Sequence, residues 1–395
     1  MKKKEKMYED LCTGCGLCSS YFGKELVPGE DGFERVKIEE PLLDFCREIC
    51  PANGAHVAAQ EKTVWGRYVS VYESHACDEK VRYAAASGGV TTAVAMYLLD
   101  KGYADGVIHV GEDPLDPYRT KVYCDKTAQE VAAHSASRYI SAAPLSNLVQ
   151  LLQESRDRYV FIGRPCDMIT LKNFLHKYPA YQERICCTLS FFCAGTPSTG
   201  ASRRLAEKLG VDASEVRSIR YRGKGWPGKA TVTDKTGQEH QMAYIDSWNQ
   251  ILGKDIRKIC KFCSDGVGEW ADISNGDLWH MGEEGRPVFE EAPGVNVTIA
   301  RTALGESILK DAWEAGYISL QDYGDRIKEL ELIQPNHAMK KKLLYPKILA
   351  MRLMHKTVPA YRLSELRKFG TSVSIWRKGR TFLGTLKRIL SGRLE

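Results

Sequence analysis

Three closely spaced cysteines near the N-terminus, Cys12, Cys15 and Cys18, form a C-x₂-C-x₂-C run. Such a run wraps a four-iron cluster. In bacterial ferredoxins the run continues to a fourth cysteine, four residues after the third, which is followed by proline. This chain has Phe22 at that place, but Cys50 stands directly before a proline further along. Because the cysteine before the proline ligates the other motif's cluster in two-cluster ferredoxins, we predict Cys50 as the fourth ligand.

The downstream stretch "CREICP" is too poor in cysteine to complete a second cluster of this type. It holds Cys46 and Cys50 only, and Phe22 removes the remaining ligand. We therefore expect one cluster here, with Cys46 as an extra thiol rather than a ligand. Structural zinc is the alternative, although zinc sites usually join two separated C-x₂-C pairs.

A second set of four cysteines is spread over the middle of the chain. Cys166 in "FIGRPCDM" and Cys193 in "FFCAG" each follow a strand-like segment and precede a helix-like one, and Cys260 and Cys263 form a C-x₂-C pair. Successive parallel strands bring such loops to one edge of a sheet, near helix N-termini that stabilise thiolates. We predict a second cluster there; a four-thiolate zinc site or a redox dithiol at Cys260 and Cys263 are the alternatives.

Two further loops have residues suited to an anionic group. "SGG" (Ser87, Gly88, Gly89) opens an apolar helix, where glycines let a phosphate approach free backbone amides. The loop "SASRYI" offers Ser135, Arg138 and Tyr139. Neither is a Walker loop or a G-x-G-x-x-G fingerprint, and a helix start with small residues for close packing explains "SGG" equally well.

These residues need a scaffold, and the pattern from Trp65 onward supplies one. Strand-like segments such as "ADGVIHVG", "YVFIG" and "ICCTLSFF" alternate with helix-like ones, which predicts βαβ units. "VRSIRYRG" and the hairpin "KATVTDKTGQEHQMAY" are expected as antiparallel strands added to the same sheet. The expected fold is α/β: a ferredoxin-like iron–sulfur module in front, then a mixed, largely parallel α/β body and a basic helical extension.

The expected boundaries are 1–62 for the iron–sulfur module, 63–165 for an N-terminal α/β part with the two candidate anion-binding loops, 166–335 for a C-terminal α/β part with the second cluster, and 336–395 for the basic amphipathic tail. Thirteen cysteines without an apolar export signal after "MKKKEKM" argue for reduced thiols that hold metal, so a cytoplasmic location is expected. The 43% hydrophobic and 27% charged content is ordinary for a globular enzyme.

The tail from His337 onward is rich in Lys and Arg and has only two acidic residues, Glu365 and Glu395. Its basic residues alternate with Leu, Ile, Phe and Trp. Such a segment is suited to an anionic membrane surface or an acidic partner, and the simpler interpretation is a solvated extension packed on the body. No nucleic-acid motif accompanies the charge, so we expect no nucleic-acid partner.

Taken together, "CTGCGLC", "CREICP", "SGGV", "SASRYI", "IGRPCD", "FFCAG" and "CKFCSDGVGEWADISNGDLW" resemble the coenzyme F420 hydrogenase/dehydrogenase beta subunit family. The resemblance implies an oxidoreductase with two 4Fe–4S clusters and FAD. It implies Cys166, Cys193, Cys260 and Cys263 as ligands of the second cluster. It also implies that six residues lie on the flavin side: Ser87, Gly88, Gly89, Ser135, Arg138 and Tyr139.

The function implied is electron transfer through FAD between a low-potential donor, ferredoxin or reduced coenzyme F420, and a small organic substrate. The alternative is an electron-transfer subunit of a larger complex without a substrate of its own. Asp272 and Asp277 are weighed as proton donors or as ordinary loop acids, and Arg164 as a contact for a flavin phosphate or an anionic substrate. No catalytic residue is assigned from the sequence.

Overall fold

A computed structural model describes residues 2–59, 63–392 and 394 of the chain. The described residues form thirteen strands: β1 (Val27–Pro28), β2 (Glu34–Arg35), β3 (Ser70–Ala76), β4 (Gly106–Glu112), β5 (Thr120–Asp125), β6 (Tyr159–Gly163), β7 (Ile185–Phe191), β8 (Val216–Arg220), β9 (Lys229–Asp234), β10 (Glu239–Ala243), β11 (Ile273–Asp277), β12 (Asn296–Ala300) and β13 (Ile318–Asp322).

They also form sixteen helices, several of them a single turn: α1 (Lys2–Asp10), α2 (Leu17–Phe22), α3 (Leu42–Ile49), α4 (Glu79–Ala84), α5 (Val90–Asp100), α6 (Ala128–His134), α7 (Leu148–Glu154), α8 (Pro165–Lys177), α9 (Thr199–Lys208), α10 (Tyr244–Asp246), α11 (Ala303–Glu314), α12 (Leu330–Ile333), α13 (Pro335–Lys342), α14 (Leu344–Leu353), α15 (Leu363–Phe369) and α16 (Ile375–Leu390). No helix in these ranges is long and apolar enough to cross a membrane.

An eight-stranded sheet forms the centre, in the order β13-β3-β12-β11-β7-β6-β4-β5. The four inner strands β11, β7, β6 and β4 run parallel to one another, and the outer strands join antiparallel. The predicted α/β class is confirmed. Parallel pairing is confined to these four inner strands. Three of them, β4, β6 and β7, are the strands that the βαβ pattern predicted.

Helices cover both faces of this sheet, as parallel strands require. On one face α5 buries Val90, Val94 and Leu98 against the strands. On the other face α8 buries Met168 and Phe174, among others. The loops that leave the inner strands are thereby held at one edge, between two packed layers.

The strands β8, β9 and β10 form a separate antiparallel sheet, so the prediction that they extend the main sheet is wrong. Their inner face, with Ile219 and Val232, packs on Leu205 of α9 and on Leu252. Burial of that apolar face against a helix takes the place of edge pairing. The hairpin turn predicted at 235–238 is confirmed, with Gly237 at φ 89°.

Two other segments differ from the sequence interpretation. The stretch "ADISNGD", expected as a loop, contributes the fully paired strand β11. The strand β5, for which no element was predicted, pairs antiparallel with β4 at the edge of the sheet. For β11, partners distant in sequence override weak local preference, whereas β5 pairs with the strand directly before it.

The N-terminal segment consists of α1, α2 and α3 with the short hairpin of β1 and β2. A ferredoxin-like topology for it stays a prediction. The tail is helical, as expected, and α14, α15 and α16 bury Ile348, Leu366 and Ile389 in one cluster that includes Phe262 beside the C-x₂-C pair. The tail thus packs on the body near the second thiol set.

Candidate functional site

The N-terminal thiols gather around one buried cavity, which is lined by Cys12, Cys15, Cys18, Cys46 and Cys50. The Sγ atoms of Cys18 and Cys46 are 3.8 Å apart. Burial, followed by the nearby Cys18, raises the pKa of Cys15 to about 12, and burial also raises the pKa of Cys50. Without a bound metal these thiols therefore stay protonated, and metal ligation would require them to lose their protons.

Glycines shape the backbone that carries the first three thiols. Gly14 has φ 71° and Gly16 has φ 84°, a left-handed conformation that other residues adopt at a cost. The Gly14 amide donates a hydrogen bond to Cys12 Sγ at 3.3 Å. Gly16 is the N-cap of α2, so Cys18 lies in the first turn of a helix whose start faces the cavity.

Cys46 occupies a position that the sequence interpretation left outside the ligand set. Cys46 lies near the end of α3 and Cys50 follows that helix, so both thiols reach the same cavity. The donor set therefore has five thiols. The ferredoxin pattern selects Cys50 among them, and that choice stays a prediction.

The second thiol set is brought together by the inner strands. Cys166 is the second residue of α8, which follows β6, and Cys193 follows β7. The backbone amide of Cys193 donates to the Gly266 carbonyl at 2.8 Å, which ties this loop to the segment after the C-x₂-C pair. The C-x₂-C pair thus lies at the same edge of the sheet as the loops that follow β6 and β7.

Electrostatic coupling indicates that these four thiols are neighbours. Burial raises the pKa of Cys166, with Asp167 next and with Cys193 and Cys260 adding to the shift. Burial and then Cys260 raise the pKa of Cys193 to about 11. The pKa of Cys263 is raised to about 12, again by burial first, and Cys260 and Cys193 contribute. The hydrogen bond from Arg164 to Thr196, at 3.1 Å, likewise ties the loop that carries Cys166 to the loop after Cys193, so the segments that carry these partly buried thiols are in contact.

Arg164 stands beside this set, but it is not free to bind an anion. Its Nε and Nη2 donate to the two carboxylate oxygens of Asp167 at 2.8 and 2.9 Å. Nη1 donates to Thr196 at 3.1 Å and Nη2 to the Ala142 carbonyl at 3.1 Å. The expectation of a flavin phosphate or an anionic substrate at Arg164 is corrected: the guanidinium fixes the start of α8 and places positive charge near Cys166 and Cys193.

The "SGG" loop starts α5 as predicted, with Gly89 as the N-cap at φ 79°. A β-carbon at Gly88 would lie 2.6 Å from Asn296 Oδ1, so close packing requires glycine there. The Asn296 amide donates to Ser87 Oγ at 2.9 Å, and its Oδ1 accepts from Val90 N at 3.4 Å. The described contacts thus give this loop a packing role, and anion binding stays a prediction.

The "SASRYI" loop lies next to the same helix start, because Thr92 of α5 donates to Ser135 Oγ at 3.2 Å. Arg138 has a side chain only 4% exposed, and its Nη1 donates to the Ile219 carbonyl at 2.9 Å. Within the described residues, its Nε and Nη2 have no hydrogen-bond partner. Tyr139 packs against the rings of Tyr244 and Trp248.

A cluster that the sequence analysis missed lies beside these loops. Arg222 donates through Nη1 and Nη2 to Asp277 at 2.8 Å each, and Trp226 Nε1 donates to the same carboxylate at 2.9 Å. Arg222 also lies over the rings of Tyr244 and Trp279. The glycine- and aromatic-rich run "RYRGKGWPG" was the available signal. Asp277 is therefore an ion-pair partner of Arg222, and both of its carboxylate oxygens accept hydrogen bonds.

Asp272 is likewise held by hydrogen bonds. Its carboxylate accepts from the Thr188 amide at 2.9 Å and from Thr302 Oγ1 at 3.0 Å. These contacts join β7 to the start of α11.

Two histidines without an assigned role share one carboxylate. His109 Nε2 lies 2.7 Å from Asp125 and His134 Nδ1 lies 3.0 Å from it. Tyr123 stacks on His134 with the ring centroids 3.9 Å apart. This cluster fixes the end of α6, immediately before Ser135.

A cavity of about 510 Å³ opens beyond the carboxyl end of β11. Its wall includes Trp279, Val295 and Tyr323, and its rim has His280, Arg326 and Glu329. Trp279 stacks on Trp226 with the ring centroids 4.8 Å apart. The cavity thus borders the Arg222 and Asp277 cluster through Trp279, and its aromatic wall with a few charged groups is typical of sites for organic ligands.

Comparison with known proteins shows the family of this chain. The family model for the C terminus of the coenzyme F420 hydrogenase/dehydrogenase beta subunit matches residues 156–326, and the corresponding N-terminal model matches 71–150. The coenzyme F420 hydrogenase subunit beta of Methanothermobacter thermautotrophicus is 24% identical over 302 residues, which is 75% of this chain and 99% of that protein.

Two further relatives extend the comparison. The coenzyme F420-dependent sulfite reductase of Methanocaldococcus jannaschii is 22% identical over 353 residues, 84% of this chain and 50% of that protein. One chain of the F420-reducing [NiFe] hydrogenase complex from Methanosarcina barkeri has the same fold, with a TM-score of 0.54 and 20% identity over 75% of this chain and 97% of that one. This chain is a member of the coenzyme F420 hydrogenase/dehydrogenase beta subunit family of oxidoreductases.

Proposed function

We propose that the chain is an iron–sulfur flavoprotein that passes electrons between a low-potential donor, coenzyme F420 or ferredoxin, and a small organic substrate through FAD. The observation that carries the proposal is that the segments bearing the second thiol set are hydrogen-bonded to one another: Arg164, before Cys166, donates to Thr196 at 3.1 Å, and the Cys193 amide donates to the Gly266 carbonyl at 2.8 Å, just after Cys260 and Cys263. Family membership indicates the type of reaction, because the matched relatives named above are F420-linked oxidoreductases or their subunits.

The donor sets fit two 4Fe–4S clusters. Cys12, Cys15, Cys18 and Cys50 would hold the first, and Cys166, Cys193, Cys260 and Cys263 the second. Both sets consist of thiols alone, in buried surroundings, as clusters of this type require. Arg164 and Arg257 add positive charge near the second set, which favours the anionic thiolate form that ligation needs.

Among the residues on the flavin side, Arg138 is best suited to contact an anionic nucleotide. Arg138 is buried and has two nitrogen donors without a partner among the described residues, and a buried unsatisfied donor costs roughly 1–3 kcal/mol unless a ligand meets it. A phosphate or flavin oxygen would satisfy both donors. Ser87, Gly88, Gly89, Ser135 and Tyr139 would line the same side, since Ser135 contacts α5 through Thr92.

The chain's own part in the reaction is to bind, orient and exclude water. When bound, clusters exchange single electrons, and a flavin connects them to two-electron donors and acceptors. Trp279 lines the 510 Å³ cavity. Its ring is held in place between Trp226, which stacks on it, and Arg222, which lies over it. We propose this cavity as the place of the organic substrate.

An electron-transfer subunit without its own substrate is the second candidate. The observation in its favour is that this chain covers 99% of a relative that is named as a hydrogenase subunit. In that case the cavity wall would meet a partner subunit. Gel filtration of the purified chain, alone and with the products of neighbouring genes, separates the two candidates.

Anaerobic purification tests the proposal directly. We expect brown-yellow protein with about eight irons, for two four-iron clusters, and about one FAD per chain. About one zinc per chain without colour would contradict it. In Cys166→Ser we expect about half of the iron to be lost, whereas Cys77→Ser, which changes an exposed cysteine outside both sets, should keep the iron content of the original protein. Reduction of the flavin by reduced F420, compared with reduced ferredoxin, identifies the donor.

A further inference from the structure

The last helix, α16, has one face on the protein and the opposite face in solvent. Its buried residues, Thr385 and Ile389, lie on the inner face, and Ile389 joins the tail cluster that includes Ile348 of α14. Ser374 caps the helix by accepting a hydrogen bond from the Arg377 amide at 3.3 Å. The helix is therefore held in place, and its outer face has a defined composition.

The outer face has an exposed apolar stripe. Trp376, Leu383 and Leu390 are 87%, 64% and 76% exposed, and they follow one another at intervals of seven residues. Residues seven apart differ by only about 20° around a helix, so the three side chains form one line along it. Ile375, 76% exposed, widens the line at its start. Exposed rows of large apolar residues mark an interaction surface.

Basic residues border this stripe. Arg380 and Lys387 come four residues after Trp376 and Leu383 and so lie one turn further along the same face. Arg377 and Arg388 are exposed next to them. From Leu366 to Leu394 the sequence has no acidic residue, and in the described part of the chain Arg377, Arg380 and Lys387 form no ion pair. This face thus has an excess of positive charge.

We propose that α16 lies flat on the surface of a bilayer that contains anionic phospholipids. Trp376, Leu383 and Leu390 would enter the boundary between headgroups and acyl chains, while Arg380 and Lys387 contact the phosphates. A bilayer offers an apolar layer and an anionic layer in parallel, and the stripe with its basic border has the same two-part arrangement. Nucleic acid offers no apolar layer for Leu383 and Leu390.

Flotation of the full-length protein with lipid vesicles tests this surface. We expect binding to vesicles of phosphatidylglycerol and phosphatidylcholine, much weaker binding to phosphatidylcholine alone, and loss of binding as salt rises. Each basic residue near such a surface contributes about fivefold in affinity. Replacing both Arg380 and Lys387 by Gln should therefore weaken binding about 25-fold, and Lys229→Gln, an exposed lysine elsewhere, should leave it unchanged.

The apolar stripe has its own matched pair of variants. Leu383→Gln and Trp376→Gln should each weaken vesicle binding about tenfold or more, whereas Trp313→Gln, which removes an exposed tryptophan on α11, should not. Iron content and circular dichroism of each variant check that the fold is retained. Equal binding to both kinds of vesicle, insensitivity to the Gln variants, or tight binding to an acidic protein or to duplex DNA in place of vesicles would overturn the proposal. None of these outcomes depends on the flavin or cluster assignments.

Discussion

Arg257 donates a hydrogen bond through Nη1 to the backbone carbonyl of Cys12, 3.4 Å away, although the two residues are far apart in sequence. The same guanidinium contacts the Glu34 carbonyl and Ser141 Oγ through Nη2, at 3.0 and 2.8 Å. It is 2% exposed and interacts electrostatically with both Cys12 and Cys260. One buried cation thus lies between the two thiol sets.

The first prediction concerns the potentials of the two proposed clusters. In Arg257→Gln the positive charge near both sets is lost, so reduced, more anionic clusters become less stable. We expect both midpoint potentials to fall, by about 60 mV for each 1.4 kcal/mol of lost one-electron stabilisation. Electron paramagnetic resonance during a redox titration measures the change. Arg257→Lys keeps the charge, so its midpoint potentials should stay close to those of the original protein. Unchanged potentials in Arg257→Gln would contradict the assigned role.

The second prediction separates the two thiols at the end of α3. Cys50→Ser should lose about half of the iron, because Cys50 is the predicted fourth ligand. Cys46→Ser should keep full iron content and colour, although its thiol lies 3.8 Å from that of Cys18. Iron and sulfide analysis of the two proteins, purified side by side without oxygen, measures this. The opposite result would transfer the ligand role to Cys46.

The third prediction concerns the buried guanidinium of Arg138. If its two unpartnered nitrogens meet the flavin nucleotide, Arg138→Gln should weaken FAD binding by roughly 10- to 100-fold, as expected for loss of a charged hydrogen bond worth about 1.5–3 kcal/mol. Fluorescence titration of flavin-depleted protein gives the dissociation constant. Arg119→Gln, an exposed arginine at the start of the neighbouring strand β5, is the control. Equal FAD affinity in all three proteins would exclude the contact.

The fourth prediction is a pH dependence of stability. Burial, and then the nearby Lys341, lowers the pKa of His56 to about 3. Above about pH 6.5 the ring is neutral in both the folded and the unfolded chain. As the pH falls below that value the unfolded chain takes up a proton that the folded chain does not. The free energy of unfolding should therefore decrease by about 1.4 kcal/mol per pH unit toward the acid side.

Replacing His56 by Gln should flatten this slope, since Gln can still meet Ser264, whose Oγ lies 2.9 Å from the His56 ring. Urea unfolding at about pH 7.5, 6.0 and 5.5, on either side of the ordinary histidine pKa, measures the difference between the original chain and the variant. A slope that is the same in both proteins would show that other groups dominate acid unfolding.

The fold could be predicted largely where hydrophobic periodicity was regular. The alternation that predicted β4, β6 and β7 with α8 and α9 is confirmed, and the same alternation placed Cys166 and Cys193 at one sheet edge. β11 escaped prediction because Ser274, Asn275 and Gly276 are poor strand formers. They are tolerated because long-range partners satisfy them: Asn275 donates to Thr91 at 2.9 Å, and Arg301 donates to Ser274 at 3.0 Å.

In the candidate site, too, local sequence patterns could be predicted and long-range contacts could not. Cysteine spacing predicted the first thiol set except Cys46, which lines the same cavity, and the position of Cys166 and Cys193 after two strands predicted the second set. The Arg222 and Asp277 pair could not be predicted, since its members lie on a loop after β8 and at the end of β11. The role of Arg257 depends on tertiary packing against Gly14, where an added β-carbon would lie 2.3 Å from Nη2. No local pattern reports such a contact.

The strand β3 has a consequence for how this molecule is made. Among the described strands it pairs only with β12 and β13, which the ribosome produces more than 200 residues later. The central sheet therefore cannot close during synthesis until Asp322 has emerged, and until then β3 is an unpaired edge that aggregation or proteolysis can reach. Neither family-matched segment contains all of its own strand partners, so we expect that the chain cannot be divided between them and still fold.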